Sequence, residues 1–318
     1  MPQRYSAREG SAKVAKWLIG IRPELVMEYD NMPQSSNIED RCGQGGGGGG
    51  MSAGGLGIGA IIVIFAISYF TGISPQVLMS GAEMVGVGTQ NQAPTQSSAP
   101  VDPNDPTRVF LAKVVGGTEG VWTEVLPAQT GVQYQPATLV IYDGATRSGC
   151  GGARSAMGPF YCPIDKKVYL DTSFFRDMKT KYGGGGEFAY AYVVAHEIGH
   201  HVQDLLGILD KVDDMKQQVS QTQANALSVR VELQADCLAG VWANRAQKKR
   251  DFLDPGDVDQ ALQTASAIGD DRLQKEMQGY VVPDSFTHGT SDQRKRWFSN
   301  GFNGGQVSGC NTLSASSL

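Results

Sequence analysis

The run Val194-Ala195-His196-Glu197-Ile198-Gly199-His200-His201 constrains this chain more than any other stretch. It lies within apolar residues of helical spacing, Tyr192, Val193, Val194, Ala195, Ile198, Val202, Leu205 and Leu206. A helix sets His196 and His200 one turn apart on one face, so both imidazoles can reach a single ion. Glu197 projects beside that face, where a carboxylate can take a proton from an activated water. The chain has 4 histidines, and three of them fall between positions 196 and 201. Burying two histidines and a glutamate in a helix without a task would be costly, which favours a zinc site over an incidental polar patch.

Two histidines do not complete a catalytic zinc site, which takes three protein ligands and leaves a fourth position open. Val202 to Leu209 contains no third histidine, so the candidates are carboxylates or His288. Glu232 and Asp236 stand four residues apart in an otherwise apolar helical stretch containing Leu227, Val231, Leu233, Ala235 and Leu238. Glu232 is expected to be the third ligand, and Asp236 to orient a ligand histidine from behind. The competing reading is an exposed acidic face paired with Arg230. Asp204, one turn beyond His200, is a weaker ligand candidate and a reasonable support for a ligand from behind. His201 is displaced from the ligand face and reads as a packing residue or one that supports a ligand from behind. His288 sits in a loop, Phe286-Thr287-His288-Gly289-Thr290-Ser291, and is either a donor to a tetrahedral oxyanion or a surface or capping histidine.

A chain of 318 residues can bury a full domain core and carry appendages. Its net charge of −5 argues against non-specific binding to nucleic acid. The clusters Lys248-Lys249-Arg250 and Arg294-Lys295-Arg296 read as solvated charge, the first at a helix end and the second on an amphipathic helix. Residues 1–55 form an arm and a glycine-rich linker, with a short helical pattern over Ala7 to Ile21 and the tract Gly45 to Gly50. Leu56 to Ile73 is uncharged and about long enough to cross a bilayer, which assigns residues 56–75 to one transmembrane signal anchor. Arg4, Arg8, Lys13, Lys16, Arg22 and Arg41 precede it, and no basic residue follows until Arg108. That asymmetry predicts a cytoplasmic N-terminus, a single pass through the inner membrane and a periplasmic or otherwise extracytoplasmic domain.

Residues 76–104 read as a polar linker, and the catalytic domain is expected over 105–318. Within it the spacing predicts helices over 108–126, 224–250, 257–278 and 291–302, with strands over 138–142 and 167–171. The fold class is therefore α+β, mostly helical with a small sheet. Val168 to Leu170 is expected to offer an exposed sheet edge to an extended substrate. Cys42 falls before the span and four cysteines after it, an even set that suits disulfides in an oxidising compartment. Three connectivities are possible. Cys150 with Cys162 would close a short glycine-rich loop and leave Cys237 to tie the tail at Cys310.

Several blocks together resemble the neutral zinc metallopeptidases of bacteria, zincins with an HExxH/Glu ligand set. They are Ser36-Asn37-Ile38-Glu39-Asp40-Arg41 before the glycine tract and apolar span, Gly149-Cys150-Gly151, Gly158 to Pro163, Val168 to Asp171, His196 to Gln203, Glu232 to Cys237 and His288 to Ser291. The resemblance runs from about residue 35 nearly to the end. It implies a membrane-anchored zinc peptidase acting on a peptide or protein, with Glu232 as third ligand, two disulfides, and lipid contact through residues 56–75. Two features depart from it: residues 1–34 are an added arm, and Cys42 stands where a second arginine is expected. The expected reaction is endopeptidase hydrolysis, with zinc on His196, His200 and Glu232 and with Glu197 as base. A catalytically silent zincin-like scaffold module of the envelope is the rival from another class, and an intact Glu197 speaks against it. An amidase acting on cell-wall peptides would use the same residues.

Overall fold

The computed structural model describes residues 29–43, 105–175, 178, 186–267 and 269–318. The helical pattern over Ala7 to Ile21, the glycine tract, the expected span at 56–75 and the linker after it all lie outside the described residues. Among the described residues no helix is long and apolar enough to cross a membrane.

The fold is mostly helical with a four-stranded sheet and a separate hairpin. The sheet comprises β1 (Ile38–Asp40), β2 (Thr138–Tyr142), β6 (Lys167–Asp171) and β5 (Phe160–Cys162), in the order β1-β2-β6-β5. β1, β2 and β6 run parallel, and β5 returns antiparallel to β6. Strands β3 (Ala145–Ser148) and β4 (Gly151–Arg154) form the hairpin. Leu139, Val140, Ile141, Val168, Tyr169 and Leu170 are all buried, as expected of parallel strands covered on both faces. β6 lies between two partners and has no free edge, so the expected substrate edge at Val168 to Leu170 is not there. Its unbroken apolar run already signals an inner strand, and among the described residues the open edges belong to β1 and β5.

Helix α1 (Pro106–Thr130) starts where Asp105 caps the Arg108 amide and Pro106 enters the first turn. Helix α2 (Glu187–Leu205) carries the histidines and is followed by α3 (Ile208–Lys216). Helix α4 (Gln221–Arg250) opens with a capping box of Ser220 and Gln223 and closes on Lys248, Lys249 and Arg250, cations that suit the negative helix end. The single helix expected over 257–278 is two, α5 (Asp257–Ala267) and α6 (Asp270–Gln278), because Gly269 stands between them in an extended conformation. Helix α7 (Ser291–Gly304) starts at a second capping box, Thr290 with Gln293. Cys150 is bonded to Cys162 and Cys237 to Cys310; Cys42 carries a free thiol.

Residues 29–43, read from the sequence as arm and linker, are part of the same core. Ile38, Glu39 and Asp40 align with Leu139, Val140 and Ile141 of β2. Met32 is 4% exposed. The chain at Pro33 lies so close to α1 that a β-carbon on Gly116 would overlap the Pro33 carbonyl oxygen. Ser35 Oγ and Asn37 Nδ2 each donate to Glu119 Oε1 at 2.7 Å. One apolar residue in a three-residue strand leaves no periodicity to read, which is why the sequence reading passes over it.

A chain beginning at Asp105 would lose β1 and uncover β2. Relative to one that keeps residues 29–43 joined to 105 by a short linker, it is expected to lose at least about 2 kcal/mol of stability, the scale of burying Met32 alone. Urea denaturation checks this, and equal midpoints would show that the strand contributes nothing.

Candidate metal centre

Helices α2 and α4 cross with almost no gap. A β-carbon on Gly199 would meet the Ala235 carbonyl oxygen at 3.0 Å and its Cα at 3.1 Å, so the residue between Ile198 and His200 must be small. This contact lays the turn of α4 bearing Glu232 over the turn of α2 bearing the two histidines. His196 Nε2 stands 3.2 Å from Glu232 Oε2, and His200 Nε2 stands 3.6 Å from Glu232 Oε1. One ligand atom from each of the three residues lies within 4.8 Å of the others, and no other such cluster of histidine, cysteine or carboxylate side chains occurs among the described residues.

Each histidine is held from behind. His196 Nδ1 donates to Asp236 Oδ1 at 2.8 Å, and His200 Nδ1 donates to Gln203 Oε1 at 2.8 Å. Both rings therefore turn Nε2 into the shared space, where a metal ion would take the place of its proton. Gln203 Nε2 donates in turn to Val231 O at 2.8 Å and Gln234 Oε1 at 2.9 Å, tying His200 to α4. Two neutral imidazoles with a carboxylate, their other ring nitrogens already satisfied, is a donor set that fits zinc.

Asp236 is wholly buried and accepts from four groups. Tyr192 Oη donates to Oδ1 at 2.5 Å, and Arg294 donates from Nε to Oδ2 and from Nη2 to Oδ1, both at 2.9 Å. The fourth is His196. Burial alone would raise the Asp236 pKa, but Arg294 and His196 bring it down to about 2. Burial lowers the His196 pKa, yet Asp236 and Glu232 outweigh it and lift the ring to about 10 when only protons compete for it. Burial likewise opposes charge on Glu232, and His200 and His196 hold it well below the usual carboxylate range. Glu197, 7% exposed, has no such direct partner among the described residues, and burial keeps its carboxyl above the ordinary value.

The structure thus brings His196, Glu197, His200, Glu232 and Asp236 together. Arg294 corrects the sequence reading of its cluster as solvated: it is 3% exposed and ion-paired, while Arg296 remains at the surface. Seen in sequence, a charge run on a helix gives no sign that one member points inward. Arg230 turns away from Glu232 and donates to the Thr312 and Ala315 carbonyls of the C-terminal tail. His201 faces the sheet, where Nε2 donates to Gln135 O at 2.6 Å and Nδ1 lies 2.9 Å from Tyr161 Oη. Asp204 accepts from that same Tyr161 hydroxyl at 2.8 Å, so both residues pin β5 to α2.

His288 is half-exposed and outside the three-ligand cluster. Its loop is fixed by Asp270, which accepts the amides of Thr287, His288 and Gly289 and stands 3.1 Å from His288 Nδ1. Gly289, at φ +87°, leaves room for Val229 and Leu233 to approach, which brings the loop beside the α4 turn that holds Glu232. Burial lowers the His288 pKa, but Asp270 and Glu232 outweigh it and raise it.

Residues 27–313 match the family described as "putative neutral zinc metallopeptidase". The Escherichia coli K12 protein YpfJ, which carries the description uncharacterized, is 45% identical over 297 residues, covering 91% of this chain and all of its own. An uncharacterized protein of Mycobacterium tuberculosis H37Rv is 42% identical over 227 residues, 67% of this chain and 74% of its own. No solved structure matches the chain.

Asp236→Asn removes the charge that faces both His196 and Arg294. Zinc affinity is expected to fall about 10- to 100-fold, the usual effect of altering a partner of a ligand histidine. Competition against a chromophoric chelator reads this out, with circular dichroism as the control for folding. Unchanged affinity would show that Asp236 does not hold the ring for the metal.

Proposed function

The chain belongs to the neutral zinc metallopeptidase family, and on that premise we propose that it is a zinc-dependent endopeptidase using His196, His200 and Glu232 as ligands. The observation that carries this reading is the convergence of two Nε2 atoms and a carboxylate beside a second buried carboxylate that no ligand role requires. Zinc held there would polarise a peptide carbonyl and lower the pKa of a water toward about 7.

The chain's own residues supply the rest. Glu197 is the base: its carboxylate takes the proton of the attacking water and returns it to the leaving amine nitrogen. Asp236, held by Arg294 and Tyr192, keeps the proton of His196 on Nδ1, and Gln203 does the same for His200. His288, presented by the Asp270-anchored loop, donates to the oxyanion of the tetrahedral intermediate. The substrate is a peptide or protein. The enzyme works outside the cytoplasm, a reading supported by two disulfides that persist in oxidising compartments. The apolar run within residues 56–75 attaches it to a membrane.

Glu197→Gln is expected to bind zinc as the unmutated protein does while its cleavage of an unfolded protein mixture falls by about 10²- to 10⁴-fold. Equal cleavage by both proteins would remove Glu197 from the mechanism, and a metal-loaded but inactive unmutated protein would favour a binding module. His288→Ala is expected to lower kcat by about 10²- to 10³-fold with little change in KM, the scale of losing one oxyanion donor. Steady-state kinetics on a peptide cleaved by the unmutated protein tests it, and an unaltered kcat would leave His288 a surface residue.

A further inference from the structure

The topology expected from the sequence places residues before position 56 in the cytoplasm and residues from 105 onward outside it. The sheet joins those two parts. β1 lies against β2 along its full length, with Leu139 N donating to Asn37 O at 2.9 Å and Arg41 N donating to Ile141 O at 2.8 Å. Side chains extend the joint: Lys167 Nζ meets Glu39 Oε2 at 2.6 Å, and Arg41 Nη1 donates to Arg147 O at 2.7 Å. Ser35 N donates to Ala112 O at 3.0 Å, and Met32 is buried against α1. Hydrogen-bonded strands cannot stand on opposite sides of a bilayer about 30 Å thick.

From this ladder we infer that residues 29–43 and residues 105–318 occupy the same side of the membrane. The chain between them then crosses an even number of times. Each crossing takes about 20 apolar residues, and the stretch 44–104 holds one such run, Leu56 to Ile73. One run cannot supply two crossings, which excludes a single-pass anchor between the two parts. The basic residues ahead of the run agree in part. Arg41, counted among the charges that retain an N-terminus in the cytoplasm, is ion-paired with Glu39 at 2.8 Å inside the fold. The inference is independent of catalysis and holds whether or not the site cleaves peptides.

Cysteine accessibility on the full-length chain in cells tests it. Ser36→Cys and Asp292→Cys, each made with Cys42→Ala, put one thiol at an exposed position of each part. Spheroplasts are treated with a membrane-impermeant maleimide before or after permeabilisation. The two positions are expected to behave alike, with labelling before permeabilisation, as a fraction of that after it, agreeing within about twofold. Labelling of position 292 in intact spheroplasts with position 36 reached only after permeabilisation, or the reverse, would overturn the inference. Gln34→Cys, also exposed, repeats the measurement on the first part should Ser36→Cys prevent folding.

Discussion

A carboxylate sealed in a protein core is tolerated only when enough donors surround it, and Asp236 is the place where this protein meets that condition. Its four donors come from Tyr192 and His196 of α2 and twice from Arg294 of α7, so one buried charge fixes three helices and one imidazole. Remove Arg294 and Asp236 would be a stranded anion; remove Asp236 and Arg294 would be a stranded cation. The candidate metal centre stands on this pair, because the ring of His196 can offer its Nε2 to a metal only while Nδ1 has a fixed acceptor. The same start of α7 that delivers Arg294 also ends the His288 loop at its capping box, which links the supporting charge to the loop beside Glu232.

The parts of this arrangement that could be read from sequence are those whose signal is local. His196, Glu197 and His200 share one helical turn and a bit, Glu232 and Asp236 share another, and strands at 138–142 and 167–171 announce themselves as unbroken apolar runs. What escaped reading depends on partners far along the chain. Arg294 sits in a cluster with Lys295 and Arg296 and differs from them only in where α7 is turned. Gln203 has no distinctive neighbours until α4 brings Val231 and Gln234 to its amide. β1 is mostly polar, and its reason for being a strand lies a hundred residues downstream in β2.

That last case changes what the domain is. Read in sequence, the apolar run at 56–73 looks like a boundary, with something dispensable before it and the folded domain after it. The sheet instead treats everything between Gly43 and Asp105 as an insertion into one folded unit, as a long connection between adjacent parallel strands. The family match beginning at residue 27 has the same extent. Parallel neighbours always need a crossover; here the crossover runs from Arg41 to Ala137 and includes α1.

The contact between Gly199 and Ala235 also bears on how such proteins are found. The two central positions of an HExxH pattern are usually written as free, since neither faces the metal. In this protein the second is a spacer in the literal sense: its lack of a side chain sets how near the carboxylate helix can lie. Alanine would already push against a backbone carbonyl, and a branched residue would lift α4 and carry Glu232 away from both imidazoles. A pattern faithful to this site therefore has a fourth specified letter, and sequences with a bulky residue there carry the same five-letter motif without the same geometry.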